Sequence, residues 1–306
     1  APSTSLNLNA VNATIYAGNF GSGVNQSFND VYTNNTIYAD HCTFNNVSCT
    51  EWHGNKNEIN VMNCGGSDNA FIGDSNQIAT ANYDDATIFN GIKNQIQKAI
   101  FTGSASIGSD NTFDTISFAQ PGSNIRLVNT LKINNLIIAN GSCSGMINVQ
   151  SASPGYQAFI NKTSGSVNLN YILLKDISAA GGATFTANNS INGGDVTGWT
   201  INQPASKNLY WVGGTGNWSD ISHWALSSGG AGGSCVPNQL DNVYFDGNSF
   251  FNSFDTVNID LPIVYCKNMD WTGAIDTPRF ETNYNLLKIF GSLTLETGMV
   301  FNVSDI

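Results

Sequence analysis

The 306-residue sequence has little charge and few cations. Charged residues make up 11%, and 11 Lys and Arg stand against 22 Asp and Glu, for a formal net charge of −11. Phosphate backbones and anionic lipid headgroups repel such a chain, so we predict no binding to nucleic acid. An apolar run of 18 residues, the length a membrane-spanning helix needs, is also missing, and we predict no membrane insertion.

Common catalytic and metal-binding motifs are missing too. The sequence has three His and no GxSxG, HExxH, P-loop or dinucleotide fingerprint, so we predict a protein that is not an enzyme and has no cofactor. Of the closest acidic pairs, Asp84-Asp85 predicts a turn, because neighbours on one strand would point to opposite faces. Asp241 and Asp246 are candidates for holding Ca²⁺ through hard oxygens, and a solvated loop is the alternative.

The six cysteines form no CxxC pair and no zinc-binding pattern. Two interpretations stay open: one to three disulfides made in an oxidising compartment, or buried thiols that act as small apolar side chains. A surface rich in Asn, Thr and Ser favours an extracellular protein. The sequence leaves open how Cys42, Cys49, Cys64 and Cys143 pair.

Asparagine and glycine are abundant, with 44 Asn and 31 Gly. Both are poor helix formers that tolerate turn conformations. A repeat of the form Gly-x-x-Asn-x-apolar begins at glycines 19, 18 and 17 residues apart, each copy preceded by a short apolar stretch. The copies are GNKNEI (54–59), GDSNQI (73–78), GIKNQI (91–96) and GSDNTF (108–113). A period near 18 without helix-forming segments predicts a right-handed parallel β-helix in an all-β chain.

The repeated asparagines predict a ladder. Stacked coils would place Asn57, Asn76, Asn94 and Asn111 about 4.8 Å apart, so that each amide donates to the carboxamide of the next. The alternative is that each Asn only marks a turn. Beyond residue 120 the period blurs but apolar strands still alternate with Asn and Gly corners, which predicts a β-helical domain over residues 1–205, with roughly ten coils and a length of about 50 Å.

A boundary follows at INQPASKN (201–208), where Pro204 interrupts the strand pattern. Trp211, Trp218 and Trp224 come next, between glycine-rich turns. Their simplest role is to pack together and close the end of a new module. The sharper alternative is a platform on which sugar rings stack.

The segments WVGGTGNWSD (211–220), CKNMDW (266–271) and LLKIFGSLTLETGMVFN (286–302) resemble repeat modules in very large surface proteins of Bacteroidetes. These proteins are secreted through the type IX system and include the gliding-motility adhesin family typified by SprB. The resemblance covers mainly residues 209–306 and implies a second β-rich module there. It implies adhesion and an extracellular location at the outer membrane, and it supplies no catalytic residues.

The resemblance also implies two covalent features. Cys235 and Cys266 occupy matching positions of the module, which supports a disulfide between them. Surface proteins of this group carry O-glycans at Asp-Ser/Thr-apolar triplets, so Thr115 and Thr256 are candidate sites, with ordinary strand residues as the alternative. Because the chain starts at Ala1 without Met and stops at Ile306 in apparent mid-strand, we expect a fragment whose second module is truncated.

These observations predict a structural or adhesive module of a giant cell-surface adhesin that supports attachment and gliding motility. The expected partners are a polysaccharide or solid surface, neighbouring modules of the same chain, and the secretion and motility machinery. The alternative is a β-helix that binds or degrades carbohydrate. An ice- or mineral-binding solenoid is a third class, but the flat, regular Thr arrays that it needs are missing.

Overall fold

The chain folds as a β-solenoid of about 14 turns, made of parallel stacked coils. The computed structural model describes residues 6–9, 15–17, 26–33, 35–65, 70–84 and 87–303. Within these ranges the one helical element is a 3-10 turn, Ile221–His223. The prediction of an all-β, parallel β-helical chain is therefore confirmed. Asp85 of the Asp84-Asp85 pair lies outside the described residues.

The solenoid divides into two compact units. The first comprises residues 1–140, 147–188 and 192–202. The second comprises residues 203–306 and two short segments, 141–146 and 189–191. In the sequence, these two segments lie between residues of the first unit. The sequence predicts a boundary at 201–208, and the main segment of the second unit begins at residue 203.

Two long parallel sheets form most of the first unit, and strands are numbered in chain order. Sheet A stacks eleven described strands: β1 (Leu6–Asn9), β3 (Gln26–Tyr32), β5 (Cys42–Cys49), β7 (Glu58–Cys64), β9 (Gln77–Tyr83), β11 (Gln95–Phe101), β13 (Thr112–Phe118), β15 (Thr130–Ala139), β17 (Ala158–Asn161), β20 (Ile177–Ala180) and β23 (Val196–Thr197). Sheet B stacks ten: β2 (Ile15–Ala17), β4 (Thr36–Asp40), β6 (Glu51–Asn55), β8 (Ala70–Phe71), β10 (Thr87–Phe89), β12 (Ala105–Ile107), β14 (Asn124–Leu127), β16 (Ile147–Ser151), β19 (Ile172–Lys175) and β22 (Ile191–Asn192). Sheet C adds β18 (Ser166–Asn170), β21 (Thr184–Asn188) and β24 (Thr200–Asn202).

Inward positions that recur on successive strands form the core of the first unit. In β9 and β11 the in-register pairs Ile78–Ile96, Ala81–Ala99 and Tyr83–Phe101 all point inward and are buried. On sheet B, Phe71 and Phe89 stack with their ring centroids 4.5 Å apart. Each fully buried aromatic or aliphatic side chain contributes roughly 1.5–3 kcal/mol. Like residues above like residues therefore fill the coil interior and fix the register of the strands.

The second unit repeats the stacking with shorter strands. Its largest sheet, sheet D, has the order β27 (Trp224–Ala225), β25 (Asn208–Trp211), β28 (Asn242–Tyr244), β31 (Asn268–Asp270) and β34 (Leu293–Thr294). Sheet E contains β26 (Gly216–Asn217), β29 (Thr256–Asn258), β32 (Arg279–Glu281) and β35 (Val300–Asn302), and sheet F pairs β30 (Ile263–Cys266) with β33 (Leu286–Ile289). Only β25 and β27 pair antiparallel among the described strands of this unit. None of the described residues belongs to a helix long and apolar enough to cross a membrane.

Candidate functional site

The four repeated asparagines form a buried ladder at the corner before sheet A. The Asn57 Nδ2 donates to Asn76 Oδ1 at 3.0 Å, Asn76 Nδ2 to Asn94 Oδ1 at 3.0 Å, and Asn94 Nδ2 to Asn111 Oδ1 at 3.0 Å. Each acceptor oxygen also receives the backbone N–H of the preceding asparagine, as from Asn57 to Asn76 at 3.0 Å. All four side chains are at most 1% exposed. The asparagines therefore stack as their spacing predicts.

The same amides satisfy the backbone of the preceding coil. The Asn76 Nδ2 also donates to the Gly54 carbonyl at 2.7 Å, and Asn94 Nδ2 donates to the Gly73 carbonyl at 2.8 Å. A Cβ atom at Gly73 would lie 1.9 Å from the Gly54 oxygen, so the coils approach too closely for any side chain there. The glycine of the Gly-x-x-Asn pattern thus allows the close backbone contact, and the asparagine amide of the next coil donates a hydrogen bond to the glycine carbonyl.

The residue before each ladder asparagine has a left-handed backbone. The φ angles are 55° at Lys56, 59° at Ser75, 58° at Lys93 and 67° at Asp110. A single left-handed residue reverses the chain at the corner, and its side chain points away from the buried amide row. His41, with φ 56°, has the same position one coil earlier, where Cys42 replaces the asparagine and donates its N–H to Asn57 Oδ1 at 2.8 Å. Cys42 therefore occupies the first position of the row.

The three tryptophans of the second module lie in its core. Trp211, Trp218 and Trp224 are 0% exposed, and Trp224 meets the other two edge-to-face at centroid distances of 5.1 and 4.8 Å. The Trp224 indole N–H donates to the Trp218 carbonyl at 2.9 Å. Rings without an exposed face cannot stack on a sugar, so the stacking platform is wrong. The three rings pack together within the core of the second unit.

The disulfide joins Cys143 to Cys235, with Cα atoms 4.4 Å apart. Our pairing of Cys235 with Cys266 is wrong. Cys266 is the last residue of β30, its side chain points inward, and it has a fully buried free thiol. Segment 141–146 brings Cys143 into the second unit, where the Cys143 carbonyl accepts the N–H of Val236 at 2.9 Å. The bridge closes a sequence separation of 92 residues instead of about 30.

Local sequence separates the bridged cysteines from the other four. Cys143 and Cys235 are half-buried and lie in Gly/Ser-rich loops, GSCSG (141–145) and GGSCV (232–236). The remaining four occupy inward positions of strands, with a buried apolar residue two positions away, as in Val264-x-Cys266. Burial raises the pKa of Cys266 to about 12, and the nearby Asp241 carboxylate adds to the rise. The flanking residues thus carried the signal that would have identified the Cys143 partner.

The calcium candidates do not come together. Asp241 and Asp246 lie at opposite ends of the short strand β28. The buried Asp241 carboxylate accepts the N–H groups of Lys207 at 2.7 Å and Asn238 at 3.0 Å. Burial raises the pKa of Asp241, although these N–H groups oppose the rise. Asp246 accepts the Asn248 N–H at 2.9 Å. Both carboxylates cap turns, and the described residues contain no group of three potential metal ligands.

Thr115 and Thr256 lie on strands. Thr115 is a half-buried residue of β13, in register with Lys98 and Leu136 on the outer face of sheet A. The Thr256 hydroxyl, on β29, donates to the Phe254 carbonyl at 2.9 Å. The side chain of Asp255, the first residue of the second triplet, is buried and accepts several hydrogen bonds. Glycosylation at either threonine stays a prediction.

A shallow groove of about 330 Å³ runs across the outer face of sheet A. It lies between two rows of outward side chains on β5, β7, β9 and β11 and crosses four strands, which is about 14 Å at the usual strand spacing. The polar side chains that line it are Thr43, Glu58, Asn60, Gln77, Gln95 and Gln97.

Neutral hydrogen-bonding groups dominate this groove. Each of its four amides offers two N–H donors and an acceptor oxygen, which match the donor and acceptor capacity of sugar hydroxyls. Glu58, Asn60, Gln77, Gln95 and Gln97 are exposed. Glycosidic cleavage by the usual route needs two carboxyl groups on opposite sides of a bond, whereas Glu58 is the one carboxylate in the lining. The groove therefore offers mainly neutral hydrogen-bond donors and acceptors, with one carboxylate, on the outer face of sheet A.

Searches with the whole chain found no matching family model, no similar curated protein and no similar solved structure.

Proposed function

We propose that this chain is a structural and adhesive module of a bacterial cell-surface protein, of the kind that the second-module sequence resembles. The observation that carries the proposal is the buried Asn ladder within the continuous strand stack of sheet A. A stack whose corners are internally satisfied holds its coils in one register and suits a role as a stable spacer.

Surface chemistry and covalent structure support the same role. Charged residues make up 11% of the sequence, and the outer face of sheet A offers amides and hydroxyls. Such a face suits weak contacts that add up when many modules meet one hydrated surface. The Cys143–Cys235 disulfide supports an oxidising, extracellular setting. Secretion through the type IX system and a contribution to gliding motility rest on the resemblance alone.

Bead attachment tests the adhesive part of the proposal. Beads coated with the chain are allowed to settle on polysaccharide-coated glass and on bare glass, and the retained fraction is measured under flow. Beads that carry an unrelated β-rich protein of similar negative charge are the control. We expect several-fold higher retention for the chain than for the control. Retention no higher than that of the control beads on either surface would contradict an adhesive role.

The second candidate is specific binding of a neutral polysaccharide, and the groove on sheet A favours it. Gln77 and Gln95 are in-register neighbours on β9 and β11, so successive sugar residues would meet equivalent amides. Glu58 disfavours anionic polysaccharides in the same groove, because like charges repel.

Calorimetric titration with neutral polysaccharides tests this candidate. Replacing both Gln77 and Gln95 by Ala removes two amides, and we expect binding to weaken about 30-fold, since each lost hydrogen bond contributes about 1 kcal/mol. Gln120→Ala, at an exposed position outside the groove lining, is the matched control and should bind like the parent chain. Binding that is unchanged in the double variant would exclude the groove.

A further inference from the structure

Two buried thiols face each other inside the first unit. Cys49 ends β5 and Cys64 ends β7, and these residues are in register on adjacent parallel strands. Their Sγ atoms are 3.7 Å apart, and the residues are 3% and 2% exposed. Residues paired across adjacent strands have Cα atoms about 4.8 Å apart, which lies within the range that a disulfide spans. A bond requires the sulfurs to approach from 3.7 Å to about 2.05 Å.

We propose that Cys49 and Cys64 form a second disulfide, which joins two consecutive coils of the first unit. The reaction is thiol–disulfide exchange with a disulfide oxidant, either a small-molecule disulfide or a protein dithiol oxidase. One cysteine thiolate attacks the oxidant, whose S–S bond breaks and releases a thiol. The second thiolate then displaces the remaining half of the oxidant and forms the Sγ–Sγ bond. The two cysteines lose two protons and two electrons, and the oxidant gains them as two thiols.

Because the pair is buried in the folded chain, the reaction takes place while the chain is folding. The hydrogen bond to Cys64 and burial hold the pKa of Cys49 well above its usual value, so the folded chain keeps a neutral thiol there. Tyr83 follows Cys64 in register on β9 and is itself buried, so solvent does not reach the pair from that side. Exchange requires a thiolate and an accessible sulfur, and both exist before the coils close.

The known bridge provides an internal reference. Any preparation in which Cys143–Cys235 has formed has met an oxidant during folding. Cys266 provides the contrast, because among the described residues it is a buried thiol whose pKa is raised by burial and by Asp241 and not by another cysteine. Burial alone therefore does not predict oxidation, whereas register and the sulfur distance do.

Peptide mapping of the complete chain, folded with a glutathione redox couple, tests the proposal. Unfolding in an alkylating agent before digestion marks every remaining thiol. We expect a linked peptide that contains Cys49 and Cys64, with alkylation confined to Cys42 and Cys266. Alkylated Cys49 and Cys64 in a sample whose Cys143–Cys235 bridge is intact would overturn the proposal.

Thermal unfolding provides a second readout in a background where Cys143 and Cys235 are both Ala. In that background, folding with the redox couple should raise the Tm of the first unit by about 6–12 °C over folding in reductant, because the bridge closes a 15-residue separation. Adding Cys49→Ala should abolish the difference, whereas adding Cys266→Ala should preserve it. Equal Tm values under both conditions in the parent background would contradict the proposal.

Discussion

The two units satisfy the backbone hydrogen-bonding groups of their corners and turns by different means. In the first unit, consecutive ladder asparagines are 17 to 19 residues apart and one buried amide row serves the corners. In the second, the asparagines Asn208, Asn242 and Asn268, each the first residue of a strand of sheet D, are separated by 34 and 26 residues and form a row that is partly exposed. Aspartates such as Asp241 and Asp255 hold the longer turns there, and a tryptophan-rich core fills the coils.

This difference shows that coil stacking does not depend on one corner design. In the short coils of residues 54–113, close glycine contacts and one repeated asparagine serve the corner. Longer coils have turns that need their own hydrogen-bond acceptors, and a carboxylate accepts several N–H groups at once. Each design predicts its own sensitive positions.

Loss of the Cys143–Cys235 bridge should have the largest effect. The chain-entropy estimate for a separation of 92 residues is about 4–5 kcal/mol of unfolding free energy. We expect Cys143→Ser, Cys235→Ser and the double variant to lose the same amount in denaturant titrations, because each removes the same bond. A double variant that loses clearly more than either single variant would assign the effect to packing instead.

Trp271→Ala should selectively destabilise the second unit. The Trp271 ring is 0% exposed and stacks on Phe245 at a centroid distance of 3.8 Å, so its removal leaves a large cavity. We expect a loss of about 3–5 kcal/mol. Hydrogen exchange resolved by peptide should show faster exchange in residues 203–303 and little change in sheet A. Phe251→Ala, at a residue 66% exposed, should change exchange little.

Asn76→Ala should selectively destabilise the first unit. The substitution removes the acceptor of the Asn57 N–H and one donor to the Gly54 carbonyl, both in a buried row. We expect a loss of about 2–4 kcal/mol, and faster exchange confined to the neighbouring coils. Asn60→Ala, an exposed amide on β7, should stay within about 0.5 kcal/mol of the parent chain. If both substitutions lowered the unfolding free energy equally, the ladder would not contribute to the stability of the first unit.

Lowering the pH should remove the stabilisation that the buried Asp255 carboxylate gives to the second unit. Burial opposes ionisation of Asp255, yet N–H donors from Phe251 and Asn252 and the Thr215 hydroxyl hold its pKa below the usual 3.8. The folded chain therefore favours the ionised form, and this stabilisation is present above about pH 4 and lost as the pH falls below that value.

Asp255→Asn tests the assignment. It should lower the unfolding free energy at neutral pH by about 1–3 kcal/mol and reduce the acid dependence measured by denaturant titration between pH 5 and roughly pH 2. Asp276→Asn, at an exposed residue with a left-handed backbone that asparagine tolerates, is the matched control. An unchanged acid dependence in the Asp255 variant would assign it to other groups.

The regular part of the fold could be predicted because its chemistry repeats in sequence. Asn57, Asn76, Asn94 and Asn111 each follow a glycine by three positions, and the coil length fixes which atoms meet. The buried tryptophans also followed from their local density, although the sequence alone allowed a stacking surface.

The disulfide could not be predicted from spacing, because it depends on a segment that leaves its own unit. Nothing in the period near residue 141 indicates that Cys143 belongs with a loop 92 residues later. The groove on sheet A was missed for a related reason. It forms between outward rows on four strands, and Gln77 and Gln95 look like ordinary solvated residues until the register is known.

The ladder also has a consequence for how such chains evolve. Every internal rung accepts from the coil before it and donates to the coil after it through the same atoms. Duplicating or deleting one whole coil therefore joins two ends that already match, and no neighbouring residue must change to accommodate it. Recombination can therefore change the length of this part of the molecule by whole coils.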